Sequence, residues 1–301
     1  MNSGYYLDIW IYFTLLAALM QAIRTAGQKQ LTQHLNAMAT TAVRYIYALP
    51  FAWLYLWWVL DYRQLTMPEL NTTFLQYALI ACVMQILGTV CLVAAFNYRN
   101  FAVATSLAKT EAIQVAVLGV VLFSASLTAL GWLSVVIGVV GVLLVSKVKF
   151  TYKDVFQNPG AGFGLAAGLG LALTTLLIRQ SSLALNSDLL LSAAVTLTFM
   201  ITVQTLFSLV YVYWQDKQQV QFMIRQWRLC LFVGVTSVIG SIGWFTATSF
   251  QNAAYVKALG QVEFFITLFI TYRIFKEKIS LMEYLGMGLI ITSVVILLVW
   301  A

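Results

Sequence analysis

The chain has 301 residues, of which 61% are hydrophobic and 9% charged, and its mean hydropathy is +0.88. Soluble domains carry roughly 25% charged residues, so this composition excludes a water-soluble enzyme. One membrane-spanning helix needs about 20 apolar residues, which leaves room for roughly ten spans and for no separate catalytic domain. The net charge is +7. In a membrane protein, an excess of Lys and Arg usually lies in cytoplasmic loops beside anionic lipid, so we expect no nucleic-acid partner.

Apolar runs separated by short polar clusters predict ten membrane-spanning helices. The runs are too long for strands and lack the alternation of a membrane barrel, so the predicted fold class is an all-α integral membrane protein. In chain order the predicted spans are residues 8–25, 37–60, 74–97, 101–123, 128–147, 160–182, 188–214, 228–250, 254–275 and 280–300.

The two halves of the chain resemble each other when the first is shifted by 152 residues. The shift needs no gap from the third to the fifth predicted span, and it aligns Gly88 with Gly240, Asn100 with Asn252, and Glu111 with Glu263. A repeat of five spans must enter the membrane from the opposite side the second time, as in many secondary transporters. We therefore predict two inverted repeats, residues 1–150 and 151–301. Chance similarity between apolar helices is the alternative.

The distribution of basic residues predicts the orientation. Connections that stay in the cytoplasm carry the excess of Lys and Arg, so both termini are expected outside. The odd-numbered connections hold twelve basic residues, namely Arg24, Lys29, Arg99, Lys147, Lys149, Lys153, Lys217, Arg225, Arg228, Arg273, Lys276 and Lys278, and the even-numbered ones hold two, Arg63 and Arg179.

Ionisable residues inside the predicted spans are the first candidates for a functional site, because burying a charge in hydrocarbon costs at least roughly 2.5–3.5 kcal/mol. Glu111 and Glu263 lie near the middle of the fourth and ninth predicted spans, and Lys109 lies almost as deep. The glutamates are either proton-coupling groups or structural groups that join neighbouring helices. Lys257 lies nearer a span end, where a lysine can reach the interface.

Helical geometry arranges these residues into stripes. Residues four apart share a face, so Thr105 with Lys109 and Lys257 with Gln261 form stripes that coincide under the 152-residue shift. In a continuous helix the two glutamates face away from these stripes. We therefore expect a cationic cavity lined by the stripes. The partner of Lys109 is then either a carboxylate from another helix or an anionic group of a substrate. Because both glutamates face away, we favour the substrate, or water in the cavity that awaits it.

Three further polar residues are candidates for the substrate pathway. Arg24 lies on a polar stripe of the first span with Gln21, Gln85 lies on the third span, and Trp244 lies on the eighth. Arg44 lies about one turn inside the second span and is expected to reach the interface. The cysteines (Cys82, Cys91 and Cys230) are far apart in sequence, so they predict neither a metal site nor a disulfide framework, and no metal or other cofactor is expected.

Residues 104–145 and 256–299, each a helix, a tight turn and a helix, resemble the EamA branch of the drug/metabolite transporter superfamily. The segment FKEKIS at residues 275–280, followed by Gly286 and Gly288, matches the turn typical of that family. In the first half Ala125 replaces the usual turn glutamate, and Ala112 and Phe264 replace the prolines that often follow the glutamates at positions 111 and 263. Members are usually described with cytoplasmic termini, which the charge count contradicts.

The resemblance implies a transporter that exports amino acids or other metabolites. Together with the repeat and the ionisable residues, it predicts a secondary carrier of a small polar metabolite in the bacterial inner membrane, driven by protons and acting as a monomer or homodimer. The alternatives are a membrane-embedded enzyme acting on lipid-linked substrates, which one histidine (His34) and few carboxylates do not favour, and an assembly subunit.

Overall fold

The computed structural model describes residues 3–95, 107–145, 159–266 and 280–300. All regular secondary structure within these ranges is helical. The helices are α1 (Ser3–Leu31), α2 (Ala37–Ile46), α3 (Leu49–Arg63), α4 (Thr72–Ala95), α5 (Glu111–Phe123), α6 (Ala129–Val145), α7 (Pro159–Ala184), α8 (Leu189–Gln215), α9 (Lys217–Arg225), α10 (Trp227–Phe250), α11 (Ala253–Gly260) and α12 (Leu281–Trp300).

Seven helical segments in the described part of the chain are long and apolar enough to cross a membrane. They are Ile9–Leu31, Ala37–Arg63, Thr72–Ala95, Gly160–Ala184, Leu189–Gln215, Trp227–Phe250 and Leu281–Val299, and α5 and α6 are shorter apolar helices. The predicted fold class, an all-α membrane protein, is confirmed at this level.

Polar side chains fix where several helices begin. Asn36 accepts a hydrogen bond from the backbone N–H of Ala39 at the start of α2, and Asn252 accepts one from Ala254 at the start of α11. These caps satisfy N–H groups that have no partner within the helix. Pro50 lies in the first turn of α3, where its missing N–H costs nothing, and the chain turns at residues 47–48 between α2 and α3.

The most extensive helix contacts join the two halves of the chain. The pairs are α4 with α7, α1 with α10, and α6 with α12. Under the 152-residue shift, α4 is equivalent to α10, α1 to α7, and α6 to α12. The α4–α7 and α1–α10 contacts are therefore equivalent, and the α6–α12 contact joins two equivalent helices. Glycines allow the closest approaches: a Cβ added to Gly170 would lie 2.9 Å from Cα of Gly88, and one added to Gly141 would lie 2.8 Å from the carbonyl oxygen of Gly286.

Two predicted spans differ from the structure in a way that matters for the site. We expected continuous helices over residues 101–123 and 254–275, but the chain turns at residues 109–110 and again at 261–262. Helix α5 begins after the first turn, and residues 263–266 are helical after the second. The two turns are equivalent under the 152-residue shift, so the same interruption occurs in both halves.

Candidate functional site

The two turns bring ionisable side chains together in the interior of the helical bundle. Glu111 is the first residue of α5, and Glu263 is the first helical residue after the turn at 261–262. A carboxylate at the start of a helix is stabilised by the backbone N–H groups exposed there. Lys109 is part of the turn at residues 109–110, before α5 begins. Lys257 lies in the last helical turn of α11.

These four residues form two ion pairs that cross between the halves of the chain. Lys109 Nζ lies 2.7 Å from Glu263 Oε2, and Lys257 Nζ lies 2.7 Å from Glu111 Oε1. The side chains are 29% and 10% exposed in the first pair and 14% and 13% in the second. Each lysine therefore holds the glutamate of the opposite half.

The pairs correct two predictions. Glu111 and Glu263 do not face away from the lysines, because the turn at residues 109–110 interrupts the helical phase on which that prediction depended. Lys109 has a carboxylate from the other half as its partner, so the preference for a substrate or water over a protein carboxylate is wrong. Lys257 does not extend to a membrane interface, since Glu111 holds it inside the bundle.

Polar and aromatic side chains from α1 and α10 surround the pairs. Gln21 Nε2 donates a hydrogen bond of 2.7 Å to Glu263 Oε2, and Trp244 Nε1 donates one of 3.0 Å to Gln21 Oε1. Lys257 Nζ lies 4.2 Å from the centroid of the Trp244 ring, a cation–π distance. Gln21 and Trp244 thus link the first and eighth predicted spans to the ionic centre.

A small cavity of about 30 Å³ lies among these side chains, and we call it the ionic cavity. Gln261 contributes to its wall, is 6% exposed, and has no hydrogen-bond partner for either amide atom in the described part of the chain. A volume of this size holds a few water molecules. The wall consists of Gln21, Lys109, Glu111, Ala112, Val142, Trp244, Lys257, Gly260, Gln261, Glu263 and Phe264.

A second cavity of about 10 Å³ lies among α2, α4, α8 and α10, and we call it the arginine cavity. Arg44 Nη1 donates a hydrogen bond of 2.9 Å to Thr89 Oγ1, and Gln204 Nε2 donates one of 2.8 Å to Gln85 Oε1. Arg44 is 6% exposed, so the expectation that it reaches the interface is wrong. The wall consists of Arg44, Tyr45, Gln85, Leu197, Ile201, Gln204, Ser237, Ser241 and Phe245.

The structure divides the predicted site residues between these two cavities. Gln85 lines the arginine cavity and not the ionic cavity. Arg24 is buried in α1, one helical turn after Gln21 of the ionic cavity, and is a wall residue of neither cavity. Thr105 lies outside the described residues. The remaining predicted residues meet at the ionic cavity: Lys109, Glu111, Trp244, Lys257, Gln261 and Glu263.

Two residues of the cavities, Gln21 and Arg44, are not among the site residues that the sequence predicts. Gln21 was recognised only as part of a stripe, although it contacts both Glu263 and Trp244. Arg44 was assigned to the interface, although an arginine inside an apolar run is itself a signal of a functional site.

Comparison with known proteins identifies the family. Two stretches of the chain, residues 8–147 and 158–299, match the EamA-like transporter family. The chain belongs to this family. The recognition made from the turn motifs is therefore confirmed, and a membrane transporter of the drug/metabolite type follows from it.

Solved structures support the fold of this EamA-like transporter. One of them, described only as the crystal structure of a protein, has 11% sequence identity and a TM-score of 0.73, and the match covers 99% of each chain. At that identity the likeness shows the fold alone. No curated protein matches the sequence.

Proposed function

We propose that this EamA-like protein is a proton-coupled secondary transporter that exports a small polar metabolite by alternating access around the ionic cavity. The observation that carries the proposal is the pair of crossed Lys–Glu contacts, because each of them joins the two halves of the chain. Contacts of this kind hold one arrangement of the halves closed, and breaking them permits another.

Protonation supplies a way to break each pair. A proton on Glu263 removes the charge that holds Lys109, and a proton on Glu111 does the same for Lys257. The lysine then has a buried charge without a partner, and a state in which water or a substrate anion reaches it becomes favoured. The cation–π contact between Lys257 and Trp244 keeps the released lysine inside the cavity.

The size of the ionic cavity supports a closed state that must open. At about 30 Å³ it is far smaller than the roughly 300–1,000 Å³ of ordinary ligand pockets. The turns at residues 109–110 and 261–262 interrupt helices beside this cavity, and interrupted helices accompany substrate sites in many transporters.

The proposal includes ten spans in two inverted repeats, residues 1–150 and 151–301, with both termini outside the inner membrane. The exchange of the α4–α7 and α1–α10 contacts under the 152-residue shift supports the repeat. The excess of basic residues in the odd-numbered connections, twelve against two, supports the orientation. A reporter active only in the cytoplasm, fused after Ala301, should stay silent, whereas a strong signal would contradict the orientation.

The transport proposal is tested in proteoliposomes with an imposed pH gradient. The substrate is selected from a metabolite panel by thermal stabilisation of the purified protein. Glu111→Gln and Glu263→Gln should each abolish gradient-driven uptake while the protein remains folded. Glu69→Gln is the matched control, because Glu69 is an exposed carboxylate outside the helices. Transport at the wild-type rate by both cavity variants would overturn the coupling role of the glutamates.

A further inference from the structure

Among the described residues, the interior of the bundle contains more positive charge than its ion-paired carboxylates compensate. Lys109 and Lys257 are each neutralised by a glutamate, so the ionic cavity carries no net charge. Arg24 and Arg44, which are 7% and 6% exposed, form no ion pair with any carboxylate in the described ranges. These two guanidinium groups leave a net charge of +2 beside the cavities.

Both arginines also retain unused hydrogen-bond donors. The buried Nε atoms of Arg24 and Arg44 have no partner among the described residues. Arg44 contacts Thr89 through Nη1, and Arg24 makes no hydrogen bond to the described part of the chain. A buried charged donor without a partner is costly, so such donors indicate a place for a ligand.

A structural role for a buried arginine looks different in this same molecule. Arg179 donates through Nη1 to the backbone carbonyl oxygen of Thr248 at 2.6 Å and also to that of Gln251, at the end of α10. Carbonyl groups at a helix end have no partner within the helix and suit a guanidinium. Neither Arg24 nor Arg44 makes such a contact within the described ranges.

Arg24 and the arginine cavity each lie one helical turn from a residue of the ionic cavity. On α1, Arg24 follows Gln21 of the ionic cavity by three residues, a rise of about 4.5 Å. On α10, Ser241 of the arginine cavity precedes Trp244 of the ionic cavity by the same spacing.

We propose that Arg24 and Arg44 form an anion-binding subsite and that the transported substrate is a small organic anion whose carboxylate or phosphate group binds there. This inference rests on the proposed transport function and narrows its substrate class. The planar guanidinium matches both oxyanions by paired hydrogen bonds. A doubly charged anion neutralises the excess of +2, whereas a cation would increase it.

Binding to the purified protein tests the subsite independently of transport. Succinate and inorganic phosphate are the probes, each titrated at constant ionic strength against sodium chloride, with the thermal unfolding midpoint and calorimetry as readouts. At least one probe should bind saturably to the wild type. Arg24→Gln and Arg44→Gln should each weaken that binding by roughly tenfold or more. A preference for succinate or for phosphate identifies which oxyanion the subsite accepts.

Three further variants keep the test decisive. Arg63→Gln removes an exposed arginine from the end of α3 and should bind as the wild type does. Arg44→Lys keeps the charge but not the planar donor group, so its binding should weaken as well. Arg44→Met should melt no lower than the wild type without ligand, because replacing an unpaired buried charge by an apolar side chain relieves its desolvation.

The outcomes separate this inference from the transport proposal. Glu263→Gln should lose gradient-driven transport and still bind the anion, since the arginines are intact. Absence of saturable binding by both probes would overturn the subsite, and so would unchanged binding in both glutamine variants. A large fall in the unfolding midpoint of unliganded Arg44→Met would show that Arg44 is structural and would also overturn it.

Discussion

The ionic cavity and the arginine cavity differ in whether a protein carboxylate pairs with the buried positive charge. In the ionic cavity each lysine contacts a glutamate 2.7 Å away, and Gln21 adds a hydrogen bond to Glu263. In the arginine cavity, Arg44 has only a hydroxyl group, that of Thr89, as a described hydrogen-bond partner. Among the described residues, carboxylates compensate the buried charge in the first region, whereas in the second the Arg44 guanidinium contacts only the Thr89 hydroxyl and the Tyr45 ring, 5.3 Å away.

The difference follows from what each region must do. A self-compensated pair remains stable without ligand, and it opens only when a charge is removed or a competing group arrives. An uncompensated guanidinium is unfavourable until an anion binds, so the binding energy of that anion becomes available to drive a change of state. Under the two proposals above, the ion pairs of the ionic cavity hold the closed state, and the arginine cavity contacts the substrate.

The largest expected effect comes from reversing one charge of the ionic cavity. Glu263→Lys places two ammonium groups together in the interior and should cost more than about 3 kcal/mol, so little folded protein should be recovered. The double variant Lys109→Glu with Glu263→Lys should recover most of the folded yield, because the pair is restored with its charges exchanged. The measurement is the monodisperse fraction on gel filtration together with the thermal unfolding midpoint.

Glu69→Lys gives the control for the charge change itself, because position 69 is exposed, and its yield should match the wild type. A double variant that folds no better than Glu263→Lys alone would show that the contact with Lys109 does not stabilise the protein. The contrast between the two cavities would then disappear.

A smaller effect is expected when the support of the ionic cavity is removed. Gln21→Leu deletes the hydrogen bond to Glu263 and leaves Trp244 Nε1 without its acceptor. A hydrogen bond to a charged group contributes about 1.5–3 kcal/mol, so we expect a loss of about 2 kcal/mol in the free energy of unfolding in detergent. Gln21→Glu is the informative companion, since a second carboxylate beside Glu263 should destabilise the protein further. An unchanged unfolding midpoint in both variants would contradict this role.

The smallest effect is expected in the arginine cavity. Thr89→Val keeps the shape of the side chain and removes the hydroxyl that accepts from Arg44. We expect a loss of about 1.5 kcal/mol without ligand, the lower end of the range for a hydrogen bond to a charged group, because only one donor of Arg44 loses its acceptor. Thermal unfolding of the variant beside Thr72→Val, an exposed position at the start of α4, gives the measurement. A loss as large as that of Gln21→Leu would show that the Thr89 contact, and not a ligand, satisfies Arg44.

Composition and the register of the two halves predicted the fold class and the equivalence of the two glutamates. The apolar runs predicted an all-helical membrane protein, and the 152-residue shift paired Glu111 with Glu263, which begin equivalent helical segments in the structure. The sequence was less informative about Arg44. That residue is buried in the bundle and hydrogen-bonded to Thr89 of α4, a contact between two helices that are distant in sequence.

The sequence alone determined the fold class, the family and the presence of ionisable residues within apolar spans, because these depend on residue type, local periodicity and short turn motifs. Only the tertiary structure decided which charges meet. Lys109 contacts Glu263 from 154 positions away, and that contact requires a turn at residues 109–110 that contains neither glycine nor proline. No local signal marks such a turn, and a change of one residue in helical phase rotates a side chain by about 100°. The surroundings of Arg24 and Arg44 are likewise a property of packing, since they depend on which helices lie beside each guanidinium.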